Sequence, residues 1–580
     1  MNTIAKTRFI CSPLLAACVM VLLASAFGNT TTLAQTNSWA TSASDKWETA
    51  ADWSLNLAPA NTQSIYVTNG FSKIVTVDST TVGSFPSTMT VNDLSLWTRD
   101  GSINMLLVSN LGTNLPLTML VSLIVSNGGR LVISDSAVAV NGTSNTFVNL
   151  GGAVDLENGS LLVSNVAALG AEPGSPGSLT VADGTGSFSG ALCIGFDTNA
   201  VGDVLLLTGQ LTLTNGPTAV GLYGNGQLYI ADNSILMSDQ PVIVGQGADS
   251  QGAVVMDNSS WIAGEDVVAG EYAGANGVVQ ITSSQFSVPS GFLTLIGGAG
   301  SGQQTWNNAT VSVGSVEIGS EARSQGTLTM VGSTVNVQGP LVIGTGIGST
   351  GTVWMSGGQL VATNLPVVVA VWGDGVITIS NGNWIGNSMQ LGLYYSTNST
   401  PLTPAQGTLN LDGGSASLYS NLVLGNCPTG GVGVVNVAGG SLYVTNAAHN
   451  AFIDVRDGQL NLSAGLLQTD ILILTNTCGQ FTWTGGTLIA SSVVFNTNLF
   501  RITSIAQQGN DLLITWKMGP GLTNALQATS GAIDGSYANN GFTDIFVVTN
   551  NFIPGAVTNY LDVGGATNRP SRYYRVRLVP

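Results

Sequence analysis

A single five-residue phrase, Gly-x-apolar-x-apolar, returns about every 25 residues from Gly101 to Gly479 and gives 16 units. Instances are Gly177-Ser178-Leu179-Thr180-Val181, Gly226-Gln227-Leu228-Tyr229-Ile230 and Gly326-Thr327-Leu328-Thr329-Met330. Alternation of period two requires strands, because successive side chains of a strand point to opposite faces. The first apolar column stays apolar from Ile103 to Phe481, with Gln304 as its one exception. The residue between the two columns is more often polar, as at Asp155, Thr180, Thr329, Asn410, Asn436 and Asn461. An apolar-Gly pair follows about 17 residues later in most units, for example Ile194-Gly195, Val220-Gly221 and Leu424-Gly425. Turn dipeptides such as Asn158-Gly159, Asp183-Gly184 and Asp412-Gly413 close the first strand.

A unit of this length has the size of one solenoid coil and cannot bury its apolar columns alone, so the coils must stack. Propeller blades are longer, at about 40 to 45 residues. The sequence therefore predicts an all-β chain built on a parallel β-helix of about 16 coils, right-handed by the general preference of such crossovers. One long step places an insertion at Gly392 to Gln406, where Tyr394 and Tyr395 either contact a partner or glycan or belong to an insertion without a role.

Four segments are expected. Residues 1–34 read as a signal peptide: Lys6 and Arg8 precede an apolar run from Phe9 to Phe27, and small residues suited to cleavage follow. An uncleaved anchor is the alternative, and Cys18 lies in a lipoprotein-like context, Leu15-Ala16-Ala17-Cys18. Residues 35–100 break the repeat and read as an N-terminal cap. Its Trp39, Trp47 and Trp53 either bury the first coil or stack on sugar. Residues 101–499 are the repeat domain. Residues 500–580 carry strand-like runs at 511–517, 524–528, 545–548, 559–563 and 573–578, which suit a small β-sandwich. This last segment is near +2, against −21 for residues 35–499. Arg569, Arg572, Arg575 and Arg577 fall in nine residues, either as a solvated strand face or as a basic dock for an acidic polymer.

The repeat, with its G-x-L-x-V and I-G rhythm, resembles the autotransporter-associated β-strand repeats of bacterial surface proteins over about two thirds of the chain. The Trp-spaced start and the ITW…YYRVRL end resemble parts of exported proteins of Gram-negative bacteria. The resemblance implies a β-helix that is secreted or held at the cell surface. The last 80 residues are too short for an outer-membrane barrel and lack its run of alternating strands.

Composition limits the chemistry. The chain has one His, His449, and 14 basic against 31 acidic residues, which disfavours His-dependent catalysis and nucleic acid as a partner. Between residues 101 and 499 the only bases are Arg130, Arg323 and Arg456, in coils far apart. The polysaccharide-degrading, pectate-lyase-like β-helix is the rival reading. Its best carboxylates would be Asp232 and Asp257, one repeat apart, with Glu265, Asp266 and Glu271 nearby. Turn capping is the stronger explanation of Asp232 and Asp257, which fall in the turn after the first strand. Hence no catalytic, cofactor-binding or metal residue is assigned; no cofactor is expected, and oxygen-rich turns leave room only for weak Ca2+ binding.

Cys193, Cys427 and Cys478 form no framework and read as buried small apolar residues. His449 is expected in a surface loop. Asn410, Asn436 and Asn461 are expected to form a stacked amide ladder. The function expected is that of an exported, non-enzymatic surface or matrix protein with a structural or adhesive role. Its partners would be surface or extracellular polysaccharide or other surface proteins, with no transmembrane segment after signal removal.

Overall fold

The computed structural model describes residues 34–141, 146–174, 176–394, 404–428, 430–495, 500–518, 523–549, 557–567 and 571–579. The expected signal segment, Tyr395 and Arg569 lie outside them. The chain is a parallel β-solenoid of about 18 turns, and it divides into two compact units, residues 1–340 and 341–580.

In the first unit a typical coil has strands Val201–Leu207, Gln210–Leu213 and Thr218–Val220. Each strand pairs in parallel with its counterpart in the next coil. The phrase glycines stand in one file, Gly177, Gly202, Gly226, Gly252, Gly277, Gly302 and Gly326. Leu179, Val204, Leu228, Val254, Val279 and Leu328 are buried beneath one another, while Tyr229 is exposed on the opposite face of its strand. The two glycines of each unit have one cause. Gly221 leaves the third strand in the left-handed region and its backbone lies against the next first strand. A Cβ on Gly221 would overlap Gln251 O, and a Cβ on Gly226 would overlap Gly221 N and Ile194 O. Bends after the first strand are also left-handed, at Asn158, Asp183, Asn233, Asn258 and Asn308, where Asn and Asp are tolerated.

Two features depart from the sequence reading. Residues 35–100 do not interrupt the solenoid, because Gln35–Ser38 pairs with Gln63–Val67, which pairs with Thr90–Leu96, all in parallel. These turns raise the count above 16. Their rhythm is hidden because a short helix, Ser79–Ser84, and a tryptophan cluster replace the glycine bends. Trp39, Trp47 and Trp53 are buried and meet edge to face, with centroids 5.0 and 5.3 Å apart. They fill space rather than face a ligand. Lys73 is also buried in these first turns, its three ammonium hydrogens shared among Asn69 O, Gly70 O, Phe71 O and Asn104 Oδ1. Burial pulls its pKa below the usual lysine value.

The second departure is an apolar column outside the main core. Ala168, Cys193, Ala219, Ile243 and Val268 occupy middle positions of third strands, whose alternation would turn them to solvent. Val166, Ala191, Phe196 and Leu222 cover them.

In the second unit the phrase glycines again stand in one file, Gly351, Gly375, Gly407, Gly433, Gly458 and Gly479. Beyond it, antiparallel strands form two three-stranded sheets. One holds Arg501–Gln508, Asp511–Lys517 and Val557–Asp562; the other holds Thr543–Thr549, Thr523–Ser530 and Arg572–Val579. Both contribute to one core around Ile514, Trp516 and Leu526. Residues 501–508 gave no strand signal because almost all of them are exposed.

The reading of the cysteines needs correction. Cys427 and Cys478 form a disulfide across 51 residues, with Cα atoms 6.2 Å apart, and among the described residues Cys193 alone is free, and it is buried. The odd cysteine count and the long separation concealed the pair.

Two stability measurements follow from this packing. Leu228→Ala should lower stability by about 2–5 kcal/mol through the cavity it opens, whereas Tyr229→Ala, one residue away on the outer face, should cost about 0.5 kcal/mol. Equal shifts in denaturation midpoint would refute the inward and outward assignment. Cys478→Ser should cost about 4 kcal/mol by loop-closure entropy, read as a matching loss in the oxidised chain and no further loss on reduction.

Candidate functional site

The outer face of the first strands in the second unit is built by register alone. Thr378, Asn410, Asn436, Asn461 and Thr482 occupy the same position in five successive coils. Asn410 Nδ2 donates to Thr378 Oγ1 at 3.2 Å, Asn436 Nδ2 to Asn410 Oδ1 at 2.8 Å, and Asn461 Nδ2 to Asn436 Oδ1 at 2.9 Å. The expected amide ladder is therefore present, and all its bonds run in one direction. Two residues earlier in each strand lies a second column, Thr408, Val434, Gln459 and Gln480. A third holds Gln406, Val432, Asp457 and Cys478.

Asn436 and Asn461 of the ladder, Val434, Gln459 and Gln480 of the second column and all four residues of the third line a depression of about 530 Å3 bordered by Pro404. Among the described residues its lining carries one charged side chain, Asp457. Burial raises the Asp457 carboxyl above the ordinary aspartate value, opposed by a hydrogen bond from the Gly458 N–H. Cys478, bonded to Cys427, forms part of the lining. Trp354 stands in register with Thr378 on the ladder column and is 44% exposed. Trp372 and Tyr394 stack at 5.0 Å with their planes 21° apart.

The carboxylates singled out in the sequence do not assemble. Asp232 sits in an exposed left-handed bend. Asp257 ends the strand Gln251–Asp257, in register with Thr282. The stacked bend residues are instead Asn233 and Asn258, joined by Asn233 N to Asn258 O at 2.8 Å and Asn258 Nδ2 to Asn233 Oδ1 at 3.3 Å. A shift of one residue thus separates the two acids that spacing had aligned. Asp266 Oδ1 accepts from Leu293 N at 2.7 Å and so orders the following coil. Burial raises the Asp266 carboxyl, and burial together with Asp266 raises that of Glu265. Glu271 lies in the turn after Val267–Ala269. Among the described residues no three His, Cys, Asp or Glu side chains gather as a metal site.

The bases are spent on local structure. Arg130 Nε meets Asp155 at 2.8 Å, Arg456 Nε meets Asp454 at 2.6 Å, and Arg323 occupies an exposed left-handed bend. His449 is 79% exposed, with Nδ1 3.5 Å from Asp470 Oδ1. Asp470 Oδ2 in turn accepts from Asn446 N and Ala451 N, which shapes the His449 turn.

In the C-terminal strand the arginines face partners of their own module. Arg572 Nε is 2.6 Å from Asp562, and Arg577 makes two hydrogen bonds to Asp544 at 3.0 and 2.5 Å. Arg575 donates to Gln527 Oε1 at 2.7 Å and stacks over Phe542 at 4.1 Å. Arg577 holds the Asp544 carboxyl below its ordinary value. Burial, aided by the hydrogen bond to Asp562, pushes Tyr574 up to about 12. A strand whose charges are matched in this way is a weak dock for an acidic polymer.

Comparison with family models, curated proteins and solved structures finds no match to this chain.

Asp266 offers a pH test. Its folded pKa lies above the unfolded value of 3.8, so the folded state holds the proton to higher pH. Stability therefore falls as pH rises from 3.8 through the folded pKa, and at pH 7 the burial cost is complete. Asp266→Asn should melt higher than the parent at pH 7, with the gap closing as pH falls below 3.8. A gap that is constant with pH would contradict the burial of this carboxylate.

Proposed function

We propose that this chain is an exported, non-enzymatic β-solenoid that acts outside the cytoplasm as a structural and adhesive element, with polysaccharide as its partner. The single observation that carries the reading is the outward amide ladder Asn410–Asn436–Asn461, with Thr378 at one end. It presents hydrogen-bonding groups in a rigid row on a surface that packing alone would leave to any polar residue. Rows of this kind recognise extended, hydroxyl-rich polymers by many weak contacts rather than one strong one.

Two observations support the location. Residues 1–34 have the charge and hydropathy pattern of an export signal. The Cys427–Cys478 disulfide suits an oxidising compartment. The self-paired arginines of the C-terminal strand favour a polymer contact through the solenoid face over one through that strand.

Expression of the full chain in a Gram-negative host tests the reading. The expected result is recovery in the periplasmic, surface or extracellular fraction with the N-terminus removed, and adhesion of protein-coated beads to polysaccharide without release of reducing sugar. Recovery only in the cytoplasm with Met1 retained, or sugar release from the bound polymer, would overturn it.

A further inference from the structure

We infer that the depression lined by Gln406, Asn436, Asp457, Gln459, Asn461 and Gln480 is the binding site, and that its ligand is a neutral hexose polymer lying along the coil stack. The inference rests on the adhesive reading above and names its ligand class.

The argument begins with hydrogen-bond capacity. An Asn side chain offers two N–H donors and two acceptor lone pairs. In the ladder, Asn436 spends one N–H on Asn410 and one lone pair on the Asn461 amide. Asn436 keeps one donor and one acceptor, held in a fixed orientation because both neighbours clamp its amide plane, while Asn461 keeps its amide oxygen as an acceptor. A donor beside an acceptor matches a pair of adjacent sugar hydroxyls, each of which both donates and accepts. Gln459 Oε1 meets Asn461 Nδ2 at 3.4 Å, which brings the second column against the first.

Spacing gives the direction. Strands of a parallel sheet stand about 4.8 Å apart, close to the length of one pyranose unit, so consecutive sugars of an extended chain meet equivalent amides in consecutive coils. Trp354 extends the same column with an exposed ring, a platform for a sugar face.

Charge selects the class. The lining holds Asp457 and no basic side chain among the described residues, and the solenoid segment is strongly acidic. An anionic polymer such as polygalacturonate would meet repulsion without a matching cation. A neutral polymer meets none, and Asp457 can accept from its hydroxyls.

The test is affinity electrophoresis of the full oxidised chain in native gels containing hydroxyethylcellulose, laminarin or dextran, with polygalacturonate as the charged comparison. At least one neutral polymer should retard the chain and polygalacturonate should not. Gln459→Ala combined with Asn436→Ala should weaken retardation about tenfold or more, as expected for two lost hydrogen bonds. Gln459→Ala alone leaves the ladder bonds intact, so its loss of binding at an unchanged melting temperature separates recognition from folding. Asn233→Ala, on a bend of the other unit, should bind like the parent. The inference is overturned by no retardation in any neutral polymer, by retardation that survives the double substitution, or by tighter binding to polygalacturonate. Failure here with adhesion to cells or matrix intact would remove this site and leave the adhesive reading standing. Binding here by a chain that stays in the cytoplasm would do the reverse.

Discussion

Most coils of the repeat are locked to the next by a close backbone contact at a glycine. The glycine leaving the third strand lies against the first strand of the following coil, as Gly221 does against Gln251 and Gly252. A Cβ on Gly221 would overlap that backbone. This contact fixes the axial register, and the register decides the rest. It places Leu228 between Val204 and Val254 in the core, and on the outer surface it stacks like residues upon like. A one-residue slip would exchange the two faces, so both the core and the surface columns depend on the same glycines.

On the proposed reading, the surface columns turn a folding constraint into a recognition device. A ladder of amides costs little to build once the strands are in register, because each side chain finds its partner one strand away. It yields a row whose members share one orientation. The disulfide reinforces the same region, joining the turn at Cys427 to the strand Cys478–Trp483. Rigidity of this kind reduces the ordering cost of binding a flexible polymer. The C-terminal module contributes differently. Its arginines are turned back onto Asp544, Asp562, Gln527 and Phe542, so its charge holds its own strands together.

Much of this was legible in the sequence because period-two alternation and recurring Gly and Asn bends are local signals. Leu179, Leu228 and Leu328 announced the core, and Asn410, Asn436 and Asn461 announced the ladder. What escaped notice depends on contacts between distant residues. The first turns lack the glycine rhythm because tryptophans such as Trp47 and Trp53 fill them, so their strands looked like a separate cap. The column of Ala168, Cys193, Ala219, Ile243 and Val268 was missed because alternation marks it as outward, and only the fold supplies the residues that cover it. Cys427 and Cys478 are neighbours only because the coils bring a turn and a strand together. Asp232 and Asp257 looked aligned by spacing, yet the extra residue in the Asp232 bend moves Asn233 into register with Asn258.

The central claim is that the outward amide row of the second unit is a recognition surface and not merely a by-product of stacking. The most direct measurement is the side-chain amide NMR spectrum of the full chain, labelled at Asn and Gln, during titration with a neutral glucan. The account predicts shifts at Asn436, Gln459 and Asn461 while the Asn233 and Asn258 amides hold still. Unmoved resonances at all three positions, or shifts centred on Asn233 and Asn258, would contradict it.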